Sequence, residues 1–258
     1  MAASQTKTRR WPNYVLLFAA FWLPVLALFS LLFTLGSNAS ADTSAAMVSS
    51  DTVEVTQAQN FAFVPSGAAA DPAKAETAFI IYPGGLVDPV AYALYASAIA
   101  QNGYLTFITP MPLDLAVLNT NAAQLVIEQN PQITNWVIGG HSLGGAMAAT
   151  FVASNPDLIQ GLVLLASYPN GDLSGWAGKA VSIYGTSDGV ANSDDVLAGA
   201  ALLPPDTQFV PIEGGNHAQF GSYGAQSGDN VATISAAQQL QQAVQATVNL
   251  LDQVNAGS

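Results

Sequence analysis

Short apolar runs recur along the chain, separated by segments whose apolar residues follow helical spacing. A continuous apolar run of four to eight residues is typical of a strand buried on both faces of a parallel sheet. Strands are predicted at 78–82, 104–109, 135–139, 161–166, 180–184 and 207–212, and helices at 89–100, 119–129, 143–154, 193–202 and about 235–251. The alternation of the two predicts an α/β fold with a mostly parallel twisted sheet and helices on both faces.

The pattern changes before residue 77. Residues 52–56 and 60–64 alternate polar and apolar side chains, which predicts a hairpin of two edge strands. Residues 36–50 are small and polar, which predicts a flexible linker. The folded domain is therefore expected to span 51–258.

Residues 14–35 form an apolar run without a charged side chain. A helix that crosses a bilayer needs about 20 such residues. Basic residues in the tail 1–13 predict a cytoplasmic N-terminus and an extracytoplasmic domain. The run is longer than the apolar part of a signal peptide, which predicts an uncleaved signal-anchor helix. The alternative is cleavage after Ala41, because Ala39-Ser40-Ala41 fits a signal-peptidase site, and the domain would then be secreted.

Composition narrows the function. The chain has 258 residues, of which 50% are hydrophobic, so one domain with a sizeable core is expected. Only 9% of residues are charged, and the net charge is −12, with every acidic residue at or after Asp42. Such a surface repels phosphate backbones, so no nucleic-acid partner is expected. The sequence has no cysteine, and nothing in it implies a metal or a cofactor.

The segment Gly140-His141-Ser142-Leu143-Gly144 matches Gly-x-Ser-x-Gly and lies between a predicted strand and a predicted helix. This is the context of a nucleophile elbow, in which a sharp turn exposes the serine oxygen at the top of a sheet. The alternative is an ordinary glycine-rich turn. A catalytic role for Ser142 therefore requires a base, an acid and oxyanion donors elsewhere.

The base is predicted by elimination to be His217, because the side chain of the other histidine, His141, points away from the Ser142 oxygen. The orienting acid is expected between nucleophile and base in the chain, and Asp188 follows a predicted strand there. Other acidic residues compete for this role: Asp157, Asp172, Asp194, Asp195 and Glu213.

The oxyanion donors are predicted to be the Leu143 N–H and an N–H of Gly85 or Leu86, in the loop after the strand 78–82. Only residues 167–179 separate two later strands, too few for a cap domain, so a site open to solvent is expected. Candidates for its substrate-binding rim are Met111, Tyr168 and Phe220.

Four motifs occur in the order found in α/β-hydrolases, and the chain from about residue 77 to 230 resembles that family. The motifs are Tyr82-Pro83-Gly84-Gly85, Gly140–Gly145, Tyr184–Gly189 and Gly214-Gly215-Asn216-His217. The resemblance is to the small branch without a cap, which includes dienelactone-hydrolase-like proteins and α/β-hydrolase fold-5. It implies Ser142 as nucleophile, Asp188 as acid and His217 as base. Dienelactone hydrolases use a cysteine, which this chain lacks, so general ester chemistry is favoured.

The sequence thus predicts a serine hydrolase that cleaves small-molecule carboxylic esters through an acyl-enzyme. An acyltransferase, a thioesterase or an amidase would use the same three residues. A non-catalytic binding module on the same fold is the other alternative. The oligomeric state is not predicted.

Overall fold

A computed structural model describes residues 36–257, and its centre is an eight-stranded sheet with the order β1-β2-β4-β3-β5-β6-β7-β8. Strands β1 and β2 pair antiparallel, as do β2 and β4, and every other neighbouring pair is parallel. The strands are β1 Val53–Gln57, β2 Phe61–Pro65, β3 Thr77–Tyr82, β4 Leu105–Ile108, β5 Asn135–His141, β6 Gly161–Leu165, β7 Lys179–Gly185 and β8 Gln208–Ile212.

Helices cover both faces of this sheet. The α-helices are α1 Ala93–Gln101, α2 Ala122–Gln129, α3 Leu143–Ser154, α4 Ser193–Ala198 and α5 Ala236–Asn255. Short 3-10 helices lie at Ala41–Met47, Gly67–Ala69, Pro72–Lys74, Pro89–Tyr92, Pro112–Asp114, Ala116–Leu118, Gly199–Leu202 and Ala218–Phe220.

The alternation of side chains along the strands separates two cores. Phe79 and Ile81 of β3 pack in one core with α1 and α5, whereas Ile80 and Tyr82 pack in the other with α2 and α3. Strands β3, β5 and β6 are buried at every position, as expected for strands covered on both sides. The predicted α/β-hydrolase fold is confirmed.

The predicted elements agree closely with the observed ones, with one instructive difference at the segment 89–100. Its first turn, Pro89–Tyr92, is a 3-10 helix, and α1 begins only at Ala93. The Asp88 side chain accepts from the Val90 N–H and caps that turn, while Pro89 supplies a preset φ at its start. The connection from β6 to β7 contains no helix or strand, in agreement with the predicted absence of a cap domain.

The segment 36–50, predicted to be a flexible linker, is instead an ordered part of the domain. Ser37 bridges to Val87 in parallel, and its backbone hydrogen bonds to Leu86 and Asp88. The 3-10 helix Ala41–Met47 follows, with Thr43 buried. Small polar residues are typical of linkers, but here their backbone groups find partners far away in the sequence, which composition does not reveal.

The predicted cytoplasmic tail 1–13 and signal-anchor helix 14–35 lie outside the described residues. Among residues 36–257, no helix has the length and apolar character needed to cross a membrane.

Candidate active site

Ser142 stands at the sharp turn between β5 and α3. Its φ of +53° and ψ of −123° lie in a region that residues other than glycine rarely adopt, so the turn is strained. The flanking glycines make this turn possible. A Cβ atom on Gly140 or on Gly144 would lie 2.6 Å or 2.2 Å, respectively, from the carbonyl oxygen of Tyr82. The strand β3 therefore leaves no space for side chains beside the candidate nucleophile.

His217 and Asp188 meet on the side of the sheet where the parallel strands end. His217 Nδ1 lies 2.8 Å from Asp188 Oδ2, and both side chains are buried. The other carboxylate oxygen, Asp188 Oδ1, accepts from the N–H groups of Val190 and Ala191, each at 2.7 Å. Hydrogen bonds to both oxygens fix the orientation of the carboxylate.

The contact with Asp188 assigns the tautomer of neutral His217. A carboxylate only accepts hydrogen bonds, so the proton is on Nδ1 and the lone pair is on Nε2. Nε2 is buried and has no hydrogen-bond partner within residues 36–257. It is therefore the His217 nitrogen that is free to accept a proton.

The turns that carry Asp188 and His217 are directly joined. The Ser187 N–H donates to the Gly215 carbonyl at 2.8 Å, and the Gly214 N–H donates to Thr186 Oγ1 at 2.9 Å. A Cβ on Gly185 would lie 2.4 Å from the Gly215 oxygen, so glycine is required where β7 ends. Hydrogen bonds between the two turns thus fix Asp188 and His217 relative to each other.

Several acidic residues were candidates for the acid role. Within residues 36–257, only Asp188 among them forms a hydrogen bond with the imidazole of His217. Asp195 interacts with Asn192 at the start of α4, and Glu213 interacts with Thr186. The remaining competitors are exposed elsewhere: Asp157 and Asp172 in connecting segments, and Asp194 in the first turn of α4.

The oxyanion donors differ in part from the prediction. Leu143 is the first residue of α3, so its N–H has no partner within the helix. Gly85 lies against it, because a Cβ on Gly85 would be 3.0 Å from Leu143 Cδ2. The predicted alternative, Leu86, is wrong: its N–H donates to the Asp114 carbonyl at 2.7 Å and is not available to a substrate. Leu143 and Gly85 remain as candidate donors.

His141, which the sequence analysis set aside, lies directly beside the candidate base. The ring centroids of His141 and His217 are 4.5 Å apart, and aromatic rings of Tyr92, Phe220 and Tyr223 also face His141. Burial lowers the pKa of His141 well below its ordinary value, and the neighbouring His217 lowers it further. His141 is therefore neutral at neutral pH.

A hydrogen-bond chain connects His141 to the loop that contains Gly85. The Tyr92 oxygen accepts from the Gly84 N–H at 2.9 Å and lies 2.9 Å from His141 Nδ1. The Tyr92 hydroxyl proton is then donated to Nδ1, which assigns the His141 proton to Nε2. The sequence contains no signal for this series of hydrogen bonds, because Tyr92 belongs to no recognised motif.

The backbone that precedes His217 is held by a buried amide of α5. Gln239 is fully buried, its Oε1 accepts from the Asn216 N–H at 3.0 Å, and its Nε2 donates to the Asn216 carbonyl at 2.7 Å. Both backbone polar groups of Asn216 are thereby satisfied in a buried position. Sequence reasoning missed Gln239, which resembles the other glutamines of an amphipathic helix.

The predicted substrate rim is only partly exposed. Tyr168 follows β6 and is 48% exposed, in agreement with a surface position. Met111 and Phe220, by contrast, are buried, so an exposed rim position is not observed for either side chain. Met111 packs in the core that contains α2 and α3, and Phe220 packs in the other core, where it supports His141.

A serine elbow, a buried histidine–carboxylate pair and a mostly parallel sheet are the features of an α/β-hydrolase. A sequence profile of the alpha/beta hydrolase family matches residues 78–241, and the chain belongs to this family. No curated protein matches the sequence.

Solved structures with the same fold include Est1E from Butyrivibrio proteoclasticus. It shares 12% identity with the chain, with a TM-score of 0.55 over 78% of this chain and 99% of Est1E. A second structure, Est1E with ferulic acid bound, also has 12% identity and gives a TM-score of 0.56 over 80% of this chain and 98% of the other. At this identity the likeness establishes the fold alone.

Proposed function

We propose that the protein is a serine hydrolase that cleaves carboxylic esters of small molecules through an acyl-enzyme intermediate. The observation that carries the proposal is the buried contact of 2.8 Å between His217 Nδ1 and Asp188 Oδ2. It leaves His217 Nε2 as a proton acceptor on the side of the sheet where the strained Ser142 turn also lies. These are the groups that an otherwise weakly nucleophilic serine requires.

In the first half of the reaction, Ser142 Oγ forms a bond to the ester carbonyl carbon as its proton moves to His217 Nε2. The carbonyl oxygen becomes an oxyanion, which the N–H groups of Leu143 and Gly85 stabilise. Asp188 stabilises the resulting imidazolium without taking its proton. Collapse breaks the bond to the alcohol oxygen, which leaves with the proton from Nε2.

In the second half, a water molecule replaces the alcohol. His217 Nε2 takes one proton from the water as its oxygen bonds to the acyl carbon. The bond to Ser142 Oγ then breaks, and the serine recovers a proton from His217. The products are a carboxylic acid and a regenerated enzyme, and no other reactant is required.

Replacement of the nucleophile tests this proposal. Ser142→Ala is expected to abolish both the hydrolysis of p-nitrophenyl esters and labelling by a fluorophosphonate probe. The matched control is Ser154→Ala, at the exposed far end of the same helix, which should behave like the parent. Equal labelling of Ser142→Ala and the parent would contradict the proposal. A parent that neither labels nor hydrolyses any ester would favour the binding-module alternative.

The acyl group is best identified with a panel of substrates. Est1E binds ferulic acid, so esters of aromatic acids belong in the panel beside aliphatic esters, thioesters and amides. Tyr168 offers an exposed aromatic ring on the candidate rim. Preference for an amide or thioester, or transfer to an added alcohol, would move the assignment to an amidase, a thioesterase or an acyltransferase.

We also propose that the apolar run 14–35 remains attached as a membrane anchor. Cleavage after Ala41 would remove Ser37 and Ser40, whose backbone groups hydrogen bond to Leu86, Asp88 and Ser222. N-terminal sequencing of the mature protein tests this, since a chain that begins at Asp42 would exclude the anchor.

A further inference from the structure

Asp229 connects the turn of the candidate acid to the loop of the candidate base. Its Oδ1 accepts from the Gly189 N–H at 3.0 Å, and its Oδ2 accepts from the Ala218 N–H at 2.9 Å. Gly189 directly follows Asp188, and Ala218 directly follows His217. One carboxylate therefore holds the two peptide groups next to the acid and the base.

The segment around Asp229 is closely fitted to both sides. A Cβ on Gly189 would lie 2.7 Å from the Gly228 carbonyl oxygen, so the acid turn and this segment are in direct contact. On the base side, Asn216 Nδ2 donates to the Asn230 carbonyl at 2.7 Å. The position of Asp229 is thus set by neighbours on either side, in addition to its own hydrogen bonds.

Asp229 interacts with its neighbours as a hydrogen-bond acceptor. Its hydrogen bonds come from Gly189, Ala218 and Asn230, and no salt bridge to it is found in the described part of the chain. Hydrogen bonds to an ionised carboxylate are about twice as strong as neutral ones. A neutral side chain at position 229 would hold the two loops less firmly.

We propose that Asp229 is a positioning residue that maintains the contact between Asp188 and His217. This inference rests on the proposed function, because it assigns Asp229 to the same triad. A backbone contact already joins the two turns through Ser187 and Gly215, and Asp229 adds a second connection through Gly189 and Ala218. Together they limit movement of the imidazole, and a displacement of about 1 Å can reduce a reaction rate about 10²-fold.

The kinetic test uses Asp229→Ala, Asp229→Asn and a control, Asp206→Asn, an exposed aspartate before β8. For Asp229→Ala, kcat for a p-nitrophenyl ester is expected to fall about 10-fold to 100-fold, with KM within about twofold of the parent. Asp229→Asn keeps one acceptor oxygen, so its kcat should lie between those of the parent and Asp229→Ala. Unchanged kcat in Asp229→Ala, or an equal fall in Asp206→Asn, would overturn the proposal.

A double-mutant cycle separates positioning from general destabilisation. If Asp229 acts through Asp188, adding Asp229→Ala to Asp188→Asn should give no further loss of kcat. If Asp229→Ala lowers kcat by the same factor in the Asp188→Asn variant as in the parent, Asp229 acts independently of Asp188, which would overturn the proposal. If Asp229→Ala does not fold, Asp229→Asn carries the same cycle.

A spectroscopic measurement distinguishes failure of this inference from failure of the proposed function. The His217 Nδ1 proton, held by Asp188, is expected to give a downfield proton resonance in the parent, whether or not any ester is hydrolysed. Asp229→Ala should broaden or shift it through faster exchange with water, while Asp206→Asn should not. An identical resonance in Asp229→Ala and the parent would overturn the positioning role, even if Ser142 proves to be the nucleophile.

Discussion

The turn that carries Ser142 and the loop that carries His217 are held in place by different means. At the turn, backbone fits against backbone: Gly140 and Gly144 lie so close to the Tyr82 carbonyl that a single methyl group would collide with it. At the loop, side chains hold the backbone, with Gln239 bonded to Asn216 and Asp229 bonded to Ala218.

This difference indicates how each region should respond to substitution. Steric exclusion at the turn is all-or-none, because a collision with a buried strand cannot be relieved without moving that strand. Hydrogen bonds at the loop contribute separately, so the removal of any one of them should have only a partial effect. Substitution of the glycines around Ser142 is therefore expected to abolish the turn, whereas single substitutions around His217 should have partial effects.

The largest effect is expected for Gly144→Ala. Its new Cβ would lie 2.2 Å from the Tyr82 oxygen and 2.3 Å from the Pro83 oxygen. The turn cannot form in its present shape, so we expect esterase activity to fall by about 10³-fold or more. The control is Gly175→Ala, where a Cβ has no atom within 4 Å. Comparable activity in Gly144→Ala and Gly175→Ala would contradict the steric account.

An intermediate effect is expected for Gln239→Leu. The change leaves the Asn216 N–H and carbonyl buried without a partner, at a cost of about 1–3 kcal/mol for each group. The free energy of unfolding, measured with urea, should fall by about 2–6 kcal/mol. Labelling of Ser142 by the fluorophosphonate probe should also slow. Gln242→Leu, on an exposed face of the same helix, serves as the control. Equal stabilities of the two variants would show that the loop does not depend on Gln239.

The smallest effect is expected for the pH dependence of stability. Burial holds the pKa of His141 well below its ordinary 6.5, so below about pH 6.5 the unfolded chain binds a proton that the folded chain excludes. The parent should therefore lose stability as the pH falls, by up to about 1.4 kcal/mol per pH unit from this group. His141→Gln should lack this contribution. Urea unfolding at pH 8, 6 and 5 measures the difference, and parallel curves for the two proteins would contradict it.

Buried strands and the sharp turn could be predicted from the sequence because their causes are local. A continuous apolar run such as 78–82 is explained only by burial on both faces, and glycines on either side of Ser142 indicate a crowded turn. Chain order limits the acid to residues between Ser142 and His217, and Asp188 could be ranked first among these because it follows the end of the predicted strand 180–184.

The supporting residues could not be predicted, because their partners are distant in sequence. Asp229 contacts residues 11 and 40 positions away, and Gln239 contacts one 23 positions away. The choice between Gly85 and Leu86 depends on the Asp114 carbonyl, which occupies the Leu86 N–H. No periodicity or motif encodes such pairings, so they emerge only when the chain is folded.

The pairing of Ser37 with Val87 has a practical consequence for producing this domain. The strands alone suggest starting a shortened recombinant version at about residue 51, just before β1. That version would lack the Ser37 backbone, which accepts from the Asp88 N–H and donates to the Leu86 carbonyl, in the loop that also contains Gly85. A shortened protein intended for assays or crystals should begin at residue 36 or earlier, so that this loop retains its neighbour.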